Sequence, residues 1–150
     1  QSLVTQSHGE NPVRGGVGFD YKRMSMLLAI LQNRMGVNIG GNDIYVNVVS
    51  GVNLTKDVGA DLPLVLAMIS SNNDSILSSN TIAFGEIGLS GEIRPVPSGE
   101  ERVKEAIRND FKTIILPKRN YSPRLETPGV TIISVSSVSE LHDVFSRAKA

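Results

Sequence analysis

The sequence predicts a mixed α/β domain, because strand-like and helix-like segments alternate along its 150 residues. The segment DIYVNVV, residues 43–49, is rich in β-branched residues, which is typical of a strand. The segment ADLPLVLAMISS, residues 60–71, is apolar on nearly every side, which is typical of a helix buried in a core. With 40% hydrophobic residues the chain can bury such a core, so we expect one globular domain over residues 1–150.

In the first half, SLVT (residues 2–5) predicts a short strand, and NPVRGGVG (residues 11–18) predicts a loop from its Pro and Gly content. A helix is expected from Asp20 to Met35. Its apolar residues form one stripe, at Tyr21, Met24, Leu28, Leu31 and Met35. The strand DIYVNVVSGVNL follows, and then the apolar helix, in which Pro63 is tolerable only in the first turn.

In the second half, TIAFGEI and GEIRPV predict two strands that flank a Gly-rich turn. Ser98 and Glu101 have the spacing of a capping box, which predicts a helix running to about Asn109. KTIILP and VTIISV predict two further strands, and Ser137 with Glu140 opens a last helix near the C-terminus.

Composition narrows the range of functions. The formal net charge is zero, so contact with nucleic acid would need a local basic patch. The chain has no cysteine, and His8 and His142 are too few for a zinc centre, so no metal site is expected. No apolar run is long enough to span a membrane, and no signal peptide opens the chain, so a soluble, non-secreted domain without a membrane partner is expected.

Several blocks of the chain resemble a known family in the same order and at compatible spacing. They are GFDYKRMSMLLAILQNRMG, ADLPLVLAMISS and FGEIGLSGEIRPVPSGEERVKEA. The path from DIYVNVVSGVNLTKDVGADLPLVLAMISS through FGEIGLSGEIRPVPSGEERVKEAI to FKTIILP resembles the proteolytic domain of Lon proteases over most of the chain. The closer resemblance, over residues 1–146, is to the Lon-like C-terminal domain of the RadA (Sms) family of DNA repair proteins. The resemblance implies a Lon-like fold, with a mixed sheet and packed helices.

That family implies a longer parent protein, with a zinc finger and a RecA-like ATPase core that drives branch migration in recombination. Neither module is recognisable in these 150 residues, which carry no Walker A motif and no CxxC pair. We therefore expect the domain to be a fragment that needs no cofactor of its own. ATP, Mg²⁺ and zinc would belong to the rest of the parent, and the parent, rather than this domain, would be the DNA-dependent ATPase.

The Lon resemblance also predicts that the protease site is degenerate. A Ser-Lys peptidase needs a serine nucleophile and a lysine that takes its proton. The matching register puts Gly59 at the serine position and Glu100 at the lysine position, so no catalytic residue is expected. Glu100 instead suits the first turn of a helix, where it can pair with Lys104.

A peptidase with a rewired site is the alternative. Serines near Gly-rich turns and two lysines are its candidates: Ser50, Ser90, Ser98, Lys56 and Lys104. None of these residues has a recognised nucleophile arrangement.

Basic residues around the degenerate site suggest contact with the phosphates of duplex or branched DNA, without sequence preference. The six candidates are Arg14, Lys22, Arg23, Lys56, Arg94 and Arg102. The loop PKRNYSPR is a second basic segment, with Lys118, Arg119 and Arg124 around Tyr121.

Self-association is expected through the first long helix, because Met26, Ala29 and Ile30 lie away from its apolar stripe. The family implies a hexameric ring in the parent, and a purely structural ring-forming domain is a further alternative. The family places the protein in the bacterial cytoplasm, or in a plastid or mitochondrion if the source is a plant.

Overall fold

A computed structural model describes residues 1–49 and 53–148. Within those ranges the chain is a mixed α/β structure with four α-helices and eight strands, which confirms the predicted fold class. In chain order the elements are β1 (Ser2–Gln6), β2 (Arg14–Val17), α1 (Tyr21–Met35), β3 (Asn42–Asn47), α2 (Asp61–Asn73), β4 (Thr81–Ala83), β5 (Glu86–Ile87), β6 (Ile93–Arg94), α3 (Gly99–Arg108), β7 (Thr113–Pro117), β8 (Thr131–Val135) and α4 (Leu141–Arg147).

The eight strands form three small sheets. The first has the order β1-β3-β2, with β1 antiparallel and β2 parallel to the central β3. The second is the all-parallel sheet β4-β7-β8, and the third is the antiparallel hairpin β5-β6. The first of these sheets is mixed, as the resemblance implied, but the Lon-like label itself stays a prediction.

Strand β7 lies between two hydrophobic cores. Ile115 faces the larger core, which α1, α2 and α4 build with β3. Ile114 and Leu116 face the smaller core, which Val103 and Ala106 of α3 help to fill. This alternation follows the two-residue period of a strand, so the sheet β4-β7-β8 is covered on both faces.

Helix α1 begins at the predicted position. Asp20 is its N-cap, and the Asp20 carboxylate accepts a hydrogen bond of 2.9 Å from the Lys22 backbone N–H. The helix ends at Gly36, whose φ of +64° is a left-handed conformation that glycine adopts without a Cβ penalty.

Helix α2 contains Pro63 in its first turn, as the sequence required. Most of its residues are buried, which confirms the prediction of a core helix. Among the described residues, none of the helices is both long enough and apolar enough to cross a membrane.

Two local predictions were wrong. Residues 14–17 form strand β2 rather than a loop, because their backbone pairs in parallel with residues 44–47 of β3. Ser98 stands at the start of α3 as predicted, but it has a left-handed φ of +58° and its side chain forms no capping hydrogen bond. The Arg102 N–H instead bonds the Ser98 carbonyl oxygen, at 2.9 Å.

Candidate functional site

Gly59 lies in a 3₁₀ turn, Val58–Ala60, that leads directly into α2. Asp57 caps this turn, because its Oδ1 accepts a hydrogen bond of 2.9 Å from the Gly59 N–H. A Cβ atom placed on Gly59 would lie 3.0 Å from that Oδ1 and 3.5 Å from Nη1 of Arg102. Position 59 is therefore buried and crowded, with an arginine of α3 beside it.

Three contacts hold the Arg102 side chain beside Gly59. Its Nε donates a 3.2 Å hydrogen bond to the carbonyl oxygen of Pro97. Its guanidinium carbon lies 5.7 Å from the centre of the Phe84 ring, and its Nη2 lies 3.9 Å from Asp57 Oδ1. Arg102 therefore fills the side of the turn toward which a side chain at position 59 would project.

Glu100 lies on the exposed side of α3. Its Oε1 is 2.7 Å from Nζ of Lys104, one helical turn further along, as the sequence predicted. The bond from Lys104 is the main cause that lowers the pKa of Glu100 below its ordinary value. The atoms nearest to a Cβ at position 59 belong to Asp57, Arg102 and Val96, so this carboxylate is not among the closest neighbours of Gly59.

Arg23, one of the predicted DNA contacts, forms a partly buried salt bridge with Asp61 at the start of α2. Arg23 Nε donates a 2.9 Å hydrogen bond to Asp61 Oδ1, and Arg23 Nη2 bonds Oδ2. The Ile87 N–H also donates to Oδ2, at 3.0 Å, so three donors surround a carboxylate whose side chain is only 1% exposed. Bonding to this carboxylate raises the pKa of Arg23. This pair ties α1, α2 and β5 together.

No local sequence pattern indicates this pair, because its two members are 38 residues apart. Asp61 is the first residue of α2, and a carboxylate at a helix start gives no reason by itself to expect a buried partner. The available signal was that Asp61 is the one charged residue of an otherwise apolar helix, residues 61–71.

Arg14 is held by backbone carbonyl groups. Its guanidinium donates to the carbonyl oxygens of Gly40, at 2.7 Å, of Val13, at 3.1 Å, and of Asn42. These bonds join the β2 strand to the turn before β3. The guanidinium therefore has an internal structural role, whatever else it contacts.

Arg94 and two further basic residues line an open cleft of about 560 Å³. Arg94 is paired with Glu92, through hydrogen bonds of 3.0 and 2.6 Å, and lies 3.9 Å from Glu86. Lys118 and Arg119 also line this cleft. Lys22 and Lys56 are exposed, at the start of α1 and before the 3₁₀ turn.

The amide of Asn120 fixes the segment before α3. Its Oδ1 accepts a 2.9 Å hydrogen bond from the Val96 N–H, and its Nδ2 donates a 3.0 Å bond to the Val96 carbonyl. Gly99 packs against the same amide, because a Cβ there would lie 2.5 Å from Asn120 Nδ2. Asn120 thus holds the turn Lys118–Asn120 against the start of α3, a structural role that no local sequence pattern predicts.

The three residues predicted for self-association differ in exposure. Ala29 is exposed and Met26 is partly buried against the larger core. Ile30 is 5% exposed and belongs to that core, which corrects the expectation that it lies away from the buried stripe. The α1 surface that packs inside the chain is wider than one stripe, since Leu27, Leu28 and Leu31 are buried too.

Among the described residues, the serines considered for a rewired peptidase lie in different parts of the fold. The Ser90 N–H donates a 3.0 Å hydrogen bond to Glu92 Oε2 in the β5-β6 turn, and Ser98 precedes α3. Ser50 lies outside the described residues. His8 and His142 are exposed.

Comparisons with known proteins identify a matching family model and a set of similar proteins. A family model described as subunit ChlI of Mg-chelatase matches residues 21–120.

Three relatives are each named DNA repair protein RadA. That of Escherichia coli (strain K12) is 43% identical over 145 residues, which is 97% of this chain and 31% of the relative. That of Aquifex aeolicus (strain VF5) is 37% identical over 96% of this chain and 32% of the relative. That of Bacillus subtilis (strain 168) is 36% identical over 93% of this chain and 30% of the relative.

The chain thus spans about a third of the length of these relatives, and the resemblance to the RadA family is confirmed. Because the family model matches residues 21–120 of a 150-residue sequence, the chain belongs to the ChlI family.

Proposed function

We propose that this chain is a non-catalytic module of a longer DNA repair protein, in which it serves as an oligomerisation scaffold and contacts DNA phosphates. The proposal starts from the relatives named DNA repair protein RadA. Since the chain spans about a third of their length, we assign the binding of ATP, Mg²⁺ and zinc to the remaining parts. The named relatives come from bacteria, which favours a bacterial cytoplasm over an organelle as the location.

The environment of Gly59 is the main observation in favour of a domain without peptidase activity. Glycine offers no nucleophile, and the space beside it is taken by Asp57 and Arg102. The partner position, Glu100, is an exposed carboxylate bonded to Lys104. A serine hydroxyl needs a nearby base to become a nucleophile, and neither group of the pair is provided here.

The proposed DNA contact depends on exposed cations that have no ion-pair partner within the described part of the fold. Arg14, Arg23, Arg94 and Arg102 are engaged with partners inside the fold, so we assign the phosphate contacts mainly to the other two candidates, Lys22 and Lys56. Lys22 and Lys56 carry the most weight, because no ion pair of either is seen within residues 1–49 and 53–148. A neutral chain with a local patch predicts weak binding that rises when an oligomer presents several patches.

The test is a fluorescence-anisotropy titration of duplex DNA at two salt concentrations. Lys22→Ala and Lys56→Ala should each weaken binding and lower the salt slope by about one, with no dependence on DNA sequence. Lys104→Ala is the matched control, since this lysine is paired with Glu100 and should leave both quantities nearly unchanged. Equal affinities for wild type and all three variants would remove the assigned contacts and favour a purely structural domain.

A further inference from the structure

The open cleft beside Arg94, which we name the strand-end cleft, lies where two parallel strands end. Lys118 and Arg119 line it directly after β7, and Ser136 lines it directly after β8. Ligands of α/β proteins commonly bind outside the carboxyl ends of parallel strands. The volume of the cleft, about 560 Å³, also lies in the range that is typical of ligand sites.

The β7 side of this cleft is positively charged and held in a fixed position. Lys118 and Arg119 are exposed, and in the described part of the chain neither has an ion-pair partner. The two hydrogen bonds of the Asn120 amide hold their turn against Val96. Because this backbone is already ordered, a ligand that binds the two cations pays little entropy for fixing the turn.

The β5-β6 side of the cleft carries two carboxylates. Glu92 accepts hydrogen bonds of 3.0 and 2.6 Å from Arg94 and of 3.0 Å from the Ser90 N–H. A Cβ atom on Gly88 would overlap with this carboxylate, so the glycine leaves the room that it needs. Glu86 is held less firmly, because its Oε1 lies 3.9 Å from Arg94 Nη1, which is too long for a hydrogen bond. The Glu86 carboxylate can therefore accept hydrogen bonds from a ligand.

These charges favour a ligand that carries both an anionic group and hydrogen-bond donors. Three cations and two carboxylates line the cleft, which leaves a net charge of +1. A run of DNA phosphates offers acceptors without donors, and it would meet Glu86 and Glu92 with like charge. An extended peptide with acidic side chains offers carboxylates to Lys118 and Arg119 and backbone N–H groups to Glu86.

We propose that the strand-end cleft binds an acidic peptide segment of a partner protein, whose carboxylates pair with Lys118 and Arg119. This binding function is separate from the proposed DNA contact through Lys22 and Lys56. The affinity is modest and falls with added salt, because the two cations are exposed and their attraction to an anion is screened.

A fluorescence-anisotropy titration with a labelled acidic peptide tests this proposal. The probe is an octapeptide in which Glu and Ser alternate, and its uncharged counterpart has Gln in place of every Glu. Wild type should bind the acidic peptide at least about tenfold more tightly than the Gln peptide. The double variant Lys118→Ala with Arg119→Ala should lose about tenfold in affinity for the acidic peptide, because two ion pairs are removed together.

The double variant Arg108→Ala with Lys112→Ala is the matched control. It removes the same charge near the amino end of β7, opposite to the end at which the cleft lies, and should leave peptide affinity nearly unchanged. Ser136→Trp is a second disruption without a change in charge. The bulky side chain at this exposed lining position should narrow the cleft and weaken binding. Circular dichroism shows whether each variant is folded.

Two results would overturn the proposal. One is equal affinity of wild type for the acidic and the Gln peptide, and the other is equal affinity of wild type and the Lys118→Ala, Arg119→Ala variant for the acidic peptide.

Duplex DNA titrated in parallel separates this inference from the proposed function. Peptide binding without DNA binding would support the peptide site and contradict the DNA contact, whereas DNA binding without peptide binding would do the reverse. DNA binding that the Lys118→Ala, Arg119→Ala variant loses, with no peptide bound by wild type, would assign the cleft to nucleic acid and overturn the inference.

Discussion

Arg23 on α1 and Asp61 at the start of α2 form a two-point salt bridge, and the carboxylate is almost completely buried. The same carboxylate accepts the Ile87 N–H, so the pair joins two helices to the β5 strand. Asp61 lies two residues after Gly59, so this pair anchors the end of the Val58–Ala60 turn. Arg23 therefore has a structural role that its basic character alone does not suggest.

The first prediction concerns this pair. Asp61→Ala should lower the free energy of unfolding by about 2–4 kcal/mol, because it leaves a partly buried guanidinium and the buried Ile87 N–H without their acceptor. Urea denaturation measures the change. Glu100→Ala, which removes an exposed ion pair, should have a much smaller effect, and equal effects of the two variants would contradict a structural role of the pair.

The second prediction concerns Asn120. Asn120→Ala should destabilise the fold by about 2 kcal/mol, because it removes both hydrogen bonds to the Val96 backbone and leaves the N–H and C=O groups unpaired. Asn38→Ala, at an exposed position between α1 and β3, is the control and should change the unfolding midpoint little. If both variants unfold at the wild-type denaturant concentration, Asn120 does not fix this segment.

The third prediction is a change in one carboxyl titration. Lys104→Ala should raise the pKa of Glu100 toward its ordinary value, because the Lys104 ammonium is the main cause of its lowering. Because the pKa of Glu100 is lower in the folded state than in the unfolded state, its bond to Lys104 stabilises the fold fully above the unfolded-state pKa. This stabilisation is lost as the pH falls through the folded-state pKa. Carboxyl NMR titration checks this, with Arg108→Ala on the same helix as control, since Arg108 pairs with Glu105 instead.

The fourth prediction concerns positions 59 and 100, which the Lon resemblance pairs as nucleophile and base. The double variant Gly59→Ser with Glu100→Lys should not cleave casein or a fluorogenic peptide, although it restores both residue types. A Cβ atom at position 59 would lie 3.0 Å from Asp57 Oδ1 and 3.5 Å from Arg102 Nη1, and no atom of residue 100 is among its three nearest neighbours, so a lysine at position 100 is not placed beside the new hydroxyl. Turnover by the double variant that is absent from the single variant Glu100→Lys would show that Arg102 and Asp57 do not block the site.

Local sequence patterns predicted the elements of this fold well. The core helix α2, the helix α1 with its Asp20 cap, and the strand β7 follow from apolar periodicity and capping residues, which act within a few positions of the chain. Ser98 shows a limit of such patterns. Its spacing to Glu101 fits a capping box, yet its backbone is left-handed and its side chain forms no capping bond.

Contacts between distant segments could not be predicted in this way. Strand β2 contains Gly15 and Gly16, which locally favour a loop, and it is a strand only because β3 pairs with it. The salt bridge of Arg23 joins residues 38 positions apart, and so no local pattern showed that this candidate DNA contact is engaged. The charged residues were visible in the sequence, but their partners were not.

The central claim is that this chain contacts DNA without peptidase chemistry, and one measurement tests it most directly. Wild-type chain is titrated into labelled duplexes of two unrelated sequences at low and moderate salt, and the same preparation is incubated with casein. The account predicts weak binding that is equal for both sequences and falls steeply with salt, together with no casein turnover above buffer. Absence of binding at low salt, binding that does not respond to salt, or casein turnover abolished by changing a single serine would contradict it.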